Sequence, residues 1–187
     1  MNAAGKGQLQ EVLNLLEGGV EVNSVNDTGE TALMRAAWVG HPNIITLLLN
    51  HEPRVNQQSP EGWTALFYGA VKGRKVVVAK LLAQGAKPYV ADLDGRTPLM
   101  AATWNGHTEI ASLLLDSNAD PNCKNLEGWS SLMFAALKGD TDVARILLLH
   151  GADPTIKNNE GNTCTQLATN RGHDQFVSLV SSNNLLR

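Results

Sequence analysis

The sequence predicts a repeat protein, a solenoid dominated by α-helices, in which one short unit recurs along the whole chain. Two series of glycines recur at one constant spacing along the chain. Neighbouring members of a series are as far apart in sequence as Gly29 and Gly62. The first comprises Gly29, Gly62, Gly95, Gly128 and Gly161, and the second Gly7, Gly40, Gly73, Gly106, Gly139 and Gly172. A third series, of small residues, keeps the same step at Ala3, Ala36, Gly69, Ala102, Ala135 and Ala168. Self-similarity at a fixed period of this length is the signature of a solenoid.

Each unit is predicted to contain two helices and a turn, as the third complete unit illustrates. Thr97 can cap the first helix, and Pro98 is tolerated in its first turn. Gly106 ends this helix, because a residue without Cβ enters the left-handed conformation at little cost. The second helix, Thr108 to Asp116, is apolar on most of its faces. Residues 118–122 are turn formers, so the stacking of neighbouring units must supply the core.

The segment DGRTPLMAA at residues 94–102, followed by Gly106-His107 and by the leucines at 113–115, resembles the ankyrin repeat. Gly85-Ala86 and Gly151-Ala152-Asp153 resemble it as well. The resemblance covers essentially the whole chain and implies an all-α-dominated ankyrin-repeat solenoid, whose helix pairs are connected by β-hairpins or turns. It also implies a protein-binding module rather than an enzyme.

The period places one ankyrin-repeat domain over residues 1–187. We expect a partial repeat at 1–25, complete repeats at 26–58, 59–91, 92–124 and 125–157, and a C-terminal capping repeat at 158–187. The first helix of the partial repeat is expected to be mostly missing, and the start at Met1 suggests a piece of a longer chain.

Two departures from the family pattern stand out. Glu52-Pro53-Arg54 replaces the usual Gly-Ala-Asp, so we expect a distorted connection there. Thr165 and Gln166 occupy positions that are apolar or histidine-like in the family. Polar residues in the final unit suit a cap that has no neighbour to pack against.

Composition and charge exclude several classes of protein. The net charge of −3 provides no general attraction to nucleic acid or anionic lipid, and no apolar run is long enough to span a bilayer. We therefore expect neither a nucleic-acid partner nor membrane insertion. The two cysteines, Cys123 and Cys164, have no metal-type spacing. Reduced thiols indicate a cytoplasmic or nuclear protein.

The histidines are the natural place to look for chemistry. His41, His107 and His173 occupy one slot at intervals of two units, which corresponds to about 20 Å for helices packed 8–10 Å apart. This distance excludes a shared metal ion. In the family this Gly-His ring binds backbone between units, and we expect the same here. The sequence also lacks a nucleophile elbow and a phosphate loop, so we expect no catalytic residue, metal site or cofactor.

The four tryptophans are the candidate partner-binding residues. Trp63 and Trp129 directly follow a glycine of the first series, and Trp38 and Trp104 lie two residues before a glycine of the second. Both slots resemble exposed positions on the concave face of ankyrin arrays, so one surface is predicted to carry all four indoles. Large aromatic residues often dominate binding energy at interfaces. The alternative is that each indole packs against the neighbouring unit and contributes only to stability.

Tyr68 and Phe134 share another slot of the first helix, one that is more often part of the core.

Charged residues border the tryptophans on two sides. The slot before the first-series glycines is acidic at Glu61, Asp94 and Glu127. The slot before the second-series glycines is basic at Lys72 and Lys138, and Arg96 follows Gly95. These charges also offset the helix dipoles, which is the structural alternative. Our hypothesis is that an extended peptide or a helix lies across the tryptophans, with its basic groups toward the acidic row.

The sequence is compatible with three functions. The first is an adaptor or scaffold that binds another protein. The second is a ligand- or nucleotide-sensing regulatory domain of a larger protein, because indoles flanked by lysines or arginines can stack on bases. The third is a structural spacer or a consensus-like engineered binder, and irregular turns such as Glu52-Pro53 argue against design.

A separate hypothesis concerns modification of turn asparagines. Asn122 and Asn56 are similar to the hairpin asparagine that an asparaginyl hydroxylase modifies in many ankyrin repeats. The alternative is that both residues are simply turn formers.

Overall fold

The structure, a computed structural model, describes residues 1–184 and consists of paired α-helices joined by turns. Within these residues the helices are α1 (Asn2–Lys6), α2 (Leu9–Glu17), α3 (Ala32–Val39), α4 (Pro42–Leu49), α5 (Ala65–Val71), α6 (Lys75–Ala83), α7 (Pro98–Trp104), α8 (Thr108–Asp116), α9 (Ser131–Lys138), α10 (Thr141–Leu149), α11 (Cys164–Asn170) and α12 (Asp174–Asn184). Strand pairing in the described part is limited to one bridge, between Val25 and Thr31. The predicted fold class is confirmed. No helix among the described residues is long and apolar enough to cross a membrane.

The chain divides into two compact units. The first is Met1–Leu93 and contains α1 to α6, and the second begins at Asp94 and contains α7 to α12. Fully buried side chains of the first unit include Met34, Ile44, Ile45, Leu48, Phe67 and Leu81. Those of the second unit include Leu99, Met100, Leu114, Leu132 and Phe176. Both helices of each pair contribute to these cores, as expected for stacked repeats. The single domain over residues 1–187 and its repeat boundaries stay predictions.

Hydroxyl groups begin the first helix of most pairs. Thr31 and Thr97 each accept a hydrogen bond from the backbone N–H three residues later, at 3.2 and 3.3 Å. Thr64 and Thr163 cap α5 and α11 in the same way. Ser130 stands at the equivalent position before α9 without such a bond. The caps satisfy N–H groups that the helix itself leaves unpaired, so they define where each helix begins.

Gly139 shows why glycine ends the first helix of a pair. Its φ of 66° is left-handed, and a Cβ there would lie 2.7 Å from the ring of His173. The Nε2 of His173 donates to the carbonyl of Leu137 at 3.2 Å, and His41 donates to the carbonyl of Gly5 at the same distance. The expected bond from the Gly-His ring to the backbone of the preceding repeat is confirmed at these two histidines.

The two ends of the chain refine the sequence-based expectations. The expectation that the first helix of the partial repeat is mostly missing was wrong, because Asn2–Lys6 is helical. At the other end, the Gln166 side chain accepts a hydrogen bond from the Thr163 N–H at 2.8 Å, so this polar residue helps to begin α11. The last three residues of the predicted capping repeat 158–187 lie outside the described residues.

The connection at Glu52 also differs from expectation. Glu52 has a φ of 51°, and Gly85 and Gly151, which occupy the same slot, have 79° and 84°. The backbone of Glu52 is therefore left-handed like that of the glycines, and the expected distortion is not seen at this residue. A residue with a Cβ pays roughly 1–2 kcal/mol for this conformation. The Arg54 N–H then donates to Asn23 Oδ1 at 2.7 Å, which ties the turn to the preceding repeat.

Candidate partner-binding surface

The turns before the first helices position Trp63 and Trp129. The Ser59 N–H donates to the Trp63 carbonyl, and the Asn125 N–H donates to the Trp129 carbonyl, each at 3.0 Å. The buried Asn125 side chain also accepts hydrogen bonds from the N–H groups of Glu127 and Trp129, at 3.1 and 2.8 Å. Because both ends of the turn are held, the direction in which the indole leaves the backbone is set by the turn itself.

Aromatic cluster 1, in the first unit, consists of Trp38, Trp63, Phe67 and Tyr68. The Tyr68 ring lies 5.6 Å from Trp38 and 5.1 Å from Trp63, edge-to-face in both cases. Trp63 also lies 4.9 Å from Phe67 in a tilted arrangement. Such aromatic pairs stabilise by about 0.5–1.5 kcal/mol beyond the area that they bury. The structure therefore brings Trp38 and Trp63 together through Tyr68.

Polar contacts hold the indoles of cluster 1 in place. The Nζ of Lys72 lies 3.8 Å from the centroid of the Trp38 ring, a cation–π contact. The Nε1 of Trp63 donates to Asp92 Oδ2 at 3.2 Å, in the following repeat of the same unit. Part of each indole thus packs against its surroundings, as the stability alternative requires.

Aromatic cluster 2, in the second unit, consists of Trp104, Trp129 and Phe134. The Phe134 ring lies 5.7 Å from Trp104, edge-to-face, and 5.6 Å from Trp129, stacked. The Nζ of Lys138 lies 4.7 Å from the centroid of the Trp104 ring. The second unit therefore repeats the arrangement of the first, with a tryptophan on each side of a central ring and a lysine over one indole.

The two clusters correspond residue by residue at a separation of two repeats. The matching pairs, each separated by twice the step of the glycine series, are Trp38 and Trp104, Trp63 and Trp129, Tyr68 and Phe134, and Lys72 and Lys138. Sequence reasoning treated Tyr68 and Phe134 as core and missed that each is the ring on which two tryptophans pack. Their two-repeat separation, shared with the tryptophans, is the signal that would have found them.

Exposure differs among the four tryptophans. Trp104 is 46% exposed, the most of the four. Trp38, Trp63 and Trp129 are half-buried. Each of the four residues is thus partly accessible to solvent, while its ring packs within its own unit. The structure thus joins the tryptophans two by two, and their sharing of one surface stays a prediction.

The predicted charged residues of the first unit lie beside cluster 1. Lys72 is exposed and stacks on Trp38. Glu61 is also exposed, and its Oε2 accepts a hydrogen bond from the Ser59 hydroxyl at 2.7 Å. Sequence reasoning missed Glu30, whose Oε1 accepts a hydrogen bond from the Tyr68 hydroxyl at 2.9 Å. Its partner belongs to the following repeat, so only the folded chain reveals the pair.

These contacts change the acidity of both partners. Burial raises the pKa of Glu30, but hydrogen bonds from Tyr68, Asn26 and Thr28 and the charge of Arg35 outweigh it, so this pKa lies below its ordinary value. Burial, followed by the hydrogen bond to Glu30, raises the pKa of Tyr68 to about 12. At neutral pH the carboxylate is therefore ionised and the phenol remains a donor.

In the second unit the charges are distributed differently. Arg96 occupies the slot of Glu30, and its Nη2 lies 3.0 Å from Asp94 Oδ2 in an ion pair. Glu127 is exposed at the turn that Asn125 closes, and Lys138 is exposed over Trp104. Each predicted charged residue thus lies at the turns or first helices that carry the tryptophans of its unit.

The two turn asparagines bridge consecutive repeats. In the first unit, Asn56 donates to the Gly85 carbonyl at 3.1 Å and accepts from the Lys87 N–H at 2.8 Å. In the second, Asn122 donates to the Gly151 carbonyl at 3.0 Å and accepts from the Asp153 N–H at 2.7 Å. The side-chain carbonyl and the side-chain NH₂ group of each asparagine are therefore both hydrogen-bonded to the backbone of the next turn.

Metal-ligating and nucleophilic side chains are the remaining groups to place. Among residues 1–184, no group of three or more histidine, cysteine or acidic side chains is arranged to hold a metal ion. Both cysteines are free thiols, and Cys164 is buried. Burial is the largest influence on both thiols and raises the pKa of Cys123 and of Cys164, so neither is an activated nucleophile.

Three family models match the chain. "Ankyrin repeats (3 copies)" matches residues 1–92, "Ankyrin repeat" matches residues 94–126, and "Ankyrin repeats (many copies)" matches residues 116–168. Together the matches extend from residue 1 to residue 168. A search of curated proteins found no match.

Proposed function

Because the chain belongs to the ankyrin-repeat family, whose members are generally protein–protein interaction modules and typically not enzymes, we propose that it is an adaptor or scaffold. Its partner is another protein, which contacts the partly exposed tryptophans of aromatic clusters 1 and 2. The observation that carries this proposal is the recurrence of a partly exposed tryptophan pair in each unit, with a lysine over one indole of the pair.

The exposed part of the clusters has the composition of a binding surface. Tryptophan supplies a large, rigid area at a small cost in conformational entropy, and it is enriched among residues that dominate binding energy. Packing on Tyr68 and Phe134 holds the indoles in position before a partner arrives. Such preorganisation reduces the free-energy cost of binding. The packing that stabilises the indoles therefore also preorganises them for binding.

We infer that the partner is an extended peptide or a helix that carries basic groups. Glu61 and Glu127 are exposed at the turns that carry Trp63 and Trp129. Charged residues at the rim of an interface mainly steer association and set orientation. Basic groups of the partner would therefore face these turns while its apolar side chains contact the indoles.

The competing function, a ligand- or nucleotide-sensing domain, would use the same indoles for base stacking. Lys72 and Lys138 lie over the faces of Trp38 and Trp104, so a base would have to displace an existing cation–π contact. This contact favours a protein partner, which can pack on the exposed ring edges and lysine stems together. ATP added to a thermal melt tests the competitor, because a ligand of the folded state raises Tm.

The cytosol or nucleus is the compartment that we propose. Both cysteines are free, and the Cys164 side chain is buried without a disulfide partner. Unpaired thiols are usual where glutathione keeps the compartment reducing.

We also propose Asn56 and Asn122 as sites that an asparaginyl hydroxylase can modify. Both amides already bond the next turn, so such an enzyme would act on a locally opened chain. Intact-mass spectrometry of protein isolated from cells tests the proposal. Addition of one oxygen atom at either residue supports it, and unmodified mass throughout contradicts it.

The proposed function is tested by affinity capture from a cell lysate with matched variants. Trp38→Ala with Trp104→Ala removes one indole from each cluster. The control is Val76→Ala with Leu149→Ala, because these apolar residues of second helices are 58% and 77% exposed. We expect specific proteins to be captured by wild type and by the control but lost with the tryptophan variant. A captured set that is identical for all three chains would contradict the proposal.

A further inference from the structure

A cleft lies beside aromatic cluster 1 in the first unit. It is lined by Thr28, Glu30, Glu61, Trp63 and Tyr68 and has a volume of about 200 Å³. This volume accommodates a side chain rather than a single water molecule. Two of the lining groups are aromatic rings and two are carboxylates, so flat apolar walls and negative charge occur in one recess.

The Glu30 carboxylate is fixed in the cleft by several donors. It accepts hydrogen bonds from the hydroxyls of Tyr68 and Thr28, at 2.9 and 3.1 Å, and from the Asn26 amide at 3.3 Å. The Nη1 of Arg35 lies 3.5 Å from its Oε2. These contacts keep the group ionised and oriented. Because Arg35 and these three donors already occupy Glu30, the acceptor capacity left in the cleft is that of Glu61.

The Glu61 carboxylate lies on the exposed side of the cleft. One of its oxygens, Oε2, accepts a hydrogen bond from the Ser59 hydroxyl at 2.7 Å. An ionised carboxylate provides about four lone-pair sites, so this group has acceptor capacity for an incoming donor. The side chain is exposed, so a partner can reach it without disturbing the core.

We propose that this cleft takes an arginine side chain of the protein partner, with the guanidinium against the accessible part of the Trp63 ring, beside the Tyr68–Glu30 pair, and its N–H groups directed to Glu61. This inference rests on the proposed function and specifies what the first unit recognises.

The shape and charge of the cleft favour arginine over other side chains. A guanidinium is planar, stacks on aromatic faces and donates hydrogen bonds from a rigid fork that matches a carboxylate. A cation near an aromatic face also gains from the charge distribution of the ring. A lysine ammonium is a compact point charge that is more strongly hydrated, so it makes less use of flat walls.

The second unit provides a built-in contrast. At the slots of Thr28, Glu30 and Tyr68 it carries Asp94, Arg96 and Phe134. Arg96 is itself a guanidinium and pairs with Asp94 at 3.0 Å. A positive charge therefore replaces the carboxylate of Glu30, and this unit should not take an arginine in the same way. The recognition of arginine is thus specific to the first unit.

Two-dimensional ¹⁵N–¹H NMR of the whole chain tests the inference, with N-acetylarginine amide as the probe. The four indole N–H signals report on Trp38, Trp63, Trp104 and Trp129 separately. We expect the Trp63 signal to shift in a saturable manner at millimolar probe, with little shift of the Trp104 and Trp129 signals. The neutral isostere N-acetylcitrulline amide should produce no saturable shift, and N-acetyllysine amide, with its side-chain amine free, should bind more weakly.

Matched variants test whether the carboxylates of the cleft are responsible for binding of the arginine probe. Glu61→Gln should weaken the probe about two- to five-fold, as expected for one exposed charge pair. Glu30→Gln should weaken it as well, and Glu127→Gln, in the second unit, should leave it unchanged. Equal shifts with the citrulline probe, equal shifts in both units, or unaltered binding to Glu61→Gln and Glu30→Gln would overturn the inference.

The inference and the proposed function can fail separately. If tryptophan-dependent capture occurs and the probe does not shift Trp63, the arginine cleft is wrong and the adaptor function stands. If the probe behaves as expected but no protein is captured, the cleft stands and the adaptor function is contradicted.

Discussion

Tyr68 shows how one side chain serves both the core and the candidate surface. It is only 6% exposed, its ring contacts two tryptophans, and its hydroxyl donates to Glu30 at 2.9 Å. A phenol is suited to this position because its body is apolar and its tip is polar. The residue that sets the geometry of the surface is thus almost hidden from solvent.

The raised pKa of Tyr68 gives a direct prediction for alkaline solution. The chain has two tyrosines, so in the Tyr89→Phe variant Tyr68 is the only tyrosine that can form a phenolate. We expect its phenolate absorbance to rise with a midpoint of about 12. Because this pKa is higher in the folded chain than the ordinary 10.0, its contribution to stability is complete below pH 10 and is lost as pH rises through about 12. A midpoint near 10 while circular dichroism still reports the folded state would refute the predicted environment.

Glu52 offers a second test at the residue scale. Its φ of 51° is left-handed, whereas the equivalent positions Gly85 and Gly151 use glycine. Glu52→Gly should therefore raise the free energy of unfolding by about 1 kcal/mol, after the greater freedom of glycine in the unfolded chain is subtracted. Asn118→Gly is the matched control, since asparagine tolerates the same conformation. Urea denaturation measures both, and a destabilised Glu52→Gly variant would show that the strain is absent.

At the scale of elements, the turns connect one helix pair to the next. Asn122 bonds both the carbonyl of Gly151 and the N–H of Asp153 across the repeat boundary, and Asn56 does the same in the first unit. Backbone groups that would otherwise be unpaired in a turn are thereby satisfied. The side chain of one turn therefore helps to shape the next turn.

Removal of this bridge should destabilise the second unit. Asn122→Ala removes the acceptor that the partly buried Asp153 N–H meets at 2.7 Å. The expected loss is about 1–3 kcal/mol in the free energy of unfolding. Lys124→Ala, an exposed change two residues away, should alter stability by less than about 0.5 kcal/mol. Equal denaturation midpoints for the two variants would contradict a bridging role for Asn122.

The elements themselves could be predicted because local chemistry determines them. Threonine at Thr97 and glycine at Gly106 mark the two ends of α7, and both signals act within one helical turn. Glu52 misled the prediction, because residue type alone does not exclude a left-handed conformation in a turn that Asn23 holds from the preceding repeat. Helix α1 was underestimated, because the five residues Asn2–Lys6 already form it.

At the scale of the whole molecule, one arrangement occurs in both compact units. A tryptophan pair, a central ring and a lysine recur at a separation of two repeats, and each set is assembled within its own unit. The period of the glycine series predicted the slots of the tryptophans. It did not predict the Tyr68–Glu30 contact or the cleft beside it, because these depend on side chains from neighbouring repeats.

The central claim is that the tryptophan clusters bind a protein partner, and calorimetric titration of a captured partner tests it most directly. We predict that Trp38→Ala with Trp104→Ala raises Kd about 30-fold or more, which corresponds to about 2 kcal/mol for residues that dominate an interface. Val76→Ala with Leu149→Ala should leave Kd unchanged, and circular dichroism should show both variants folded at the temperature of titration. An unchanged Kd for the folded tryptophan variant would contradict the account.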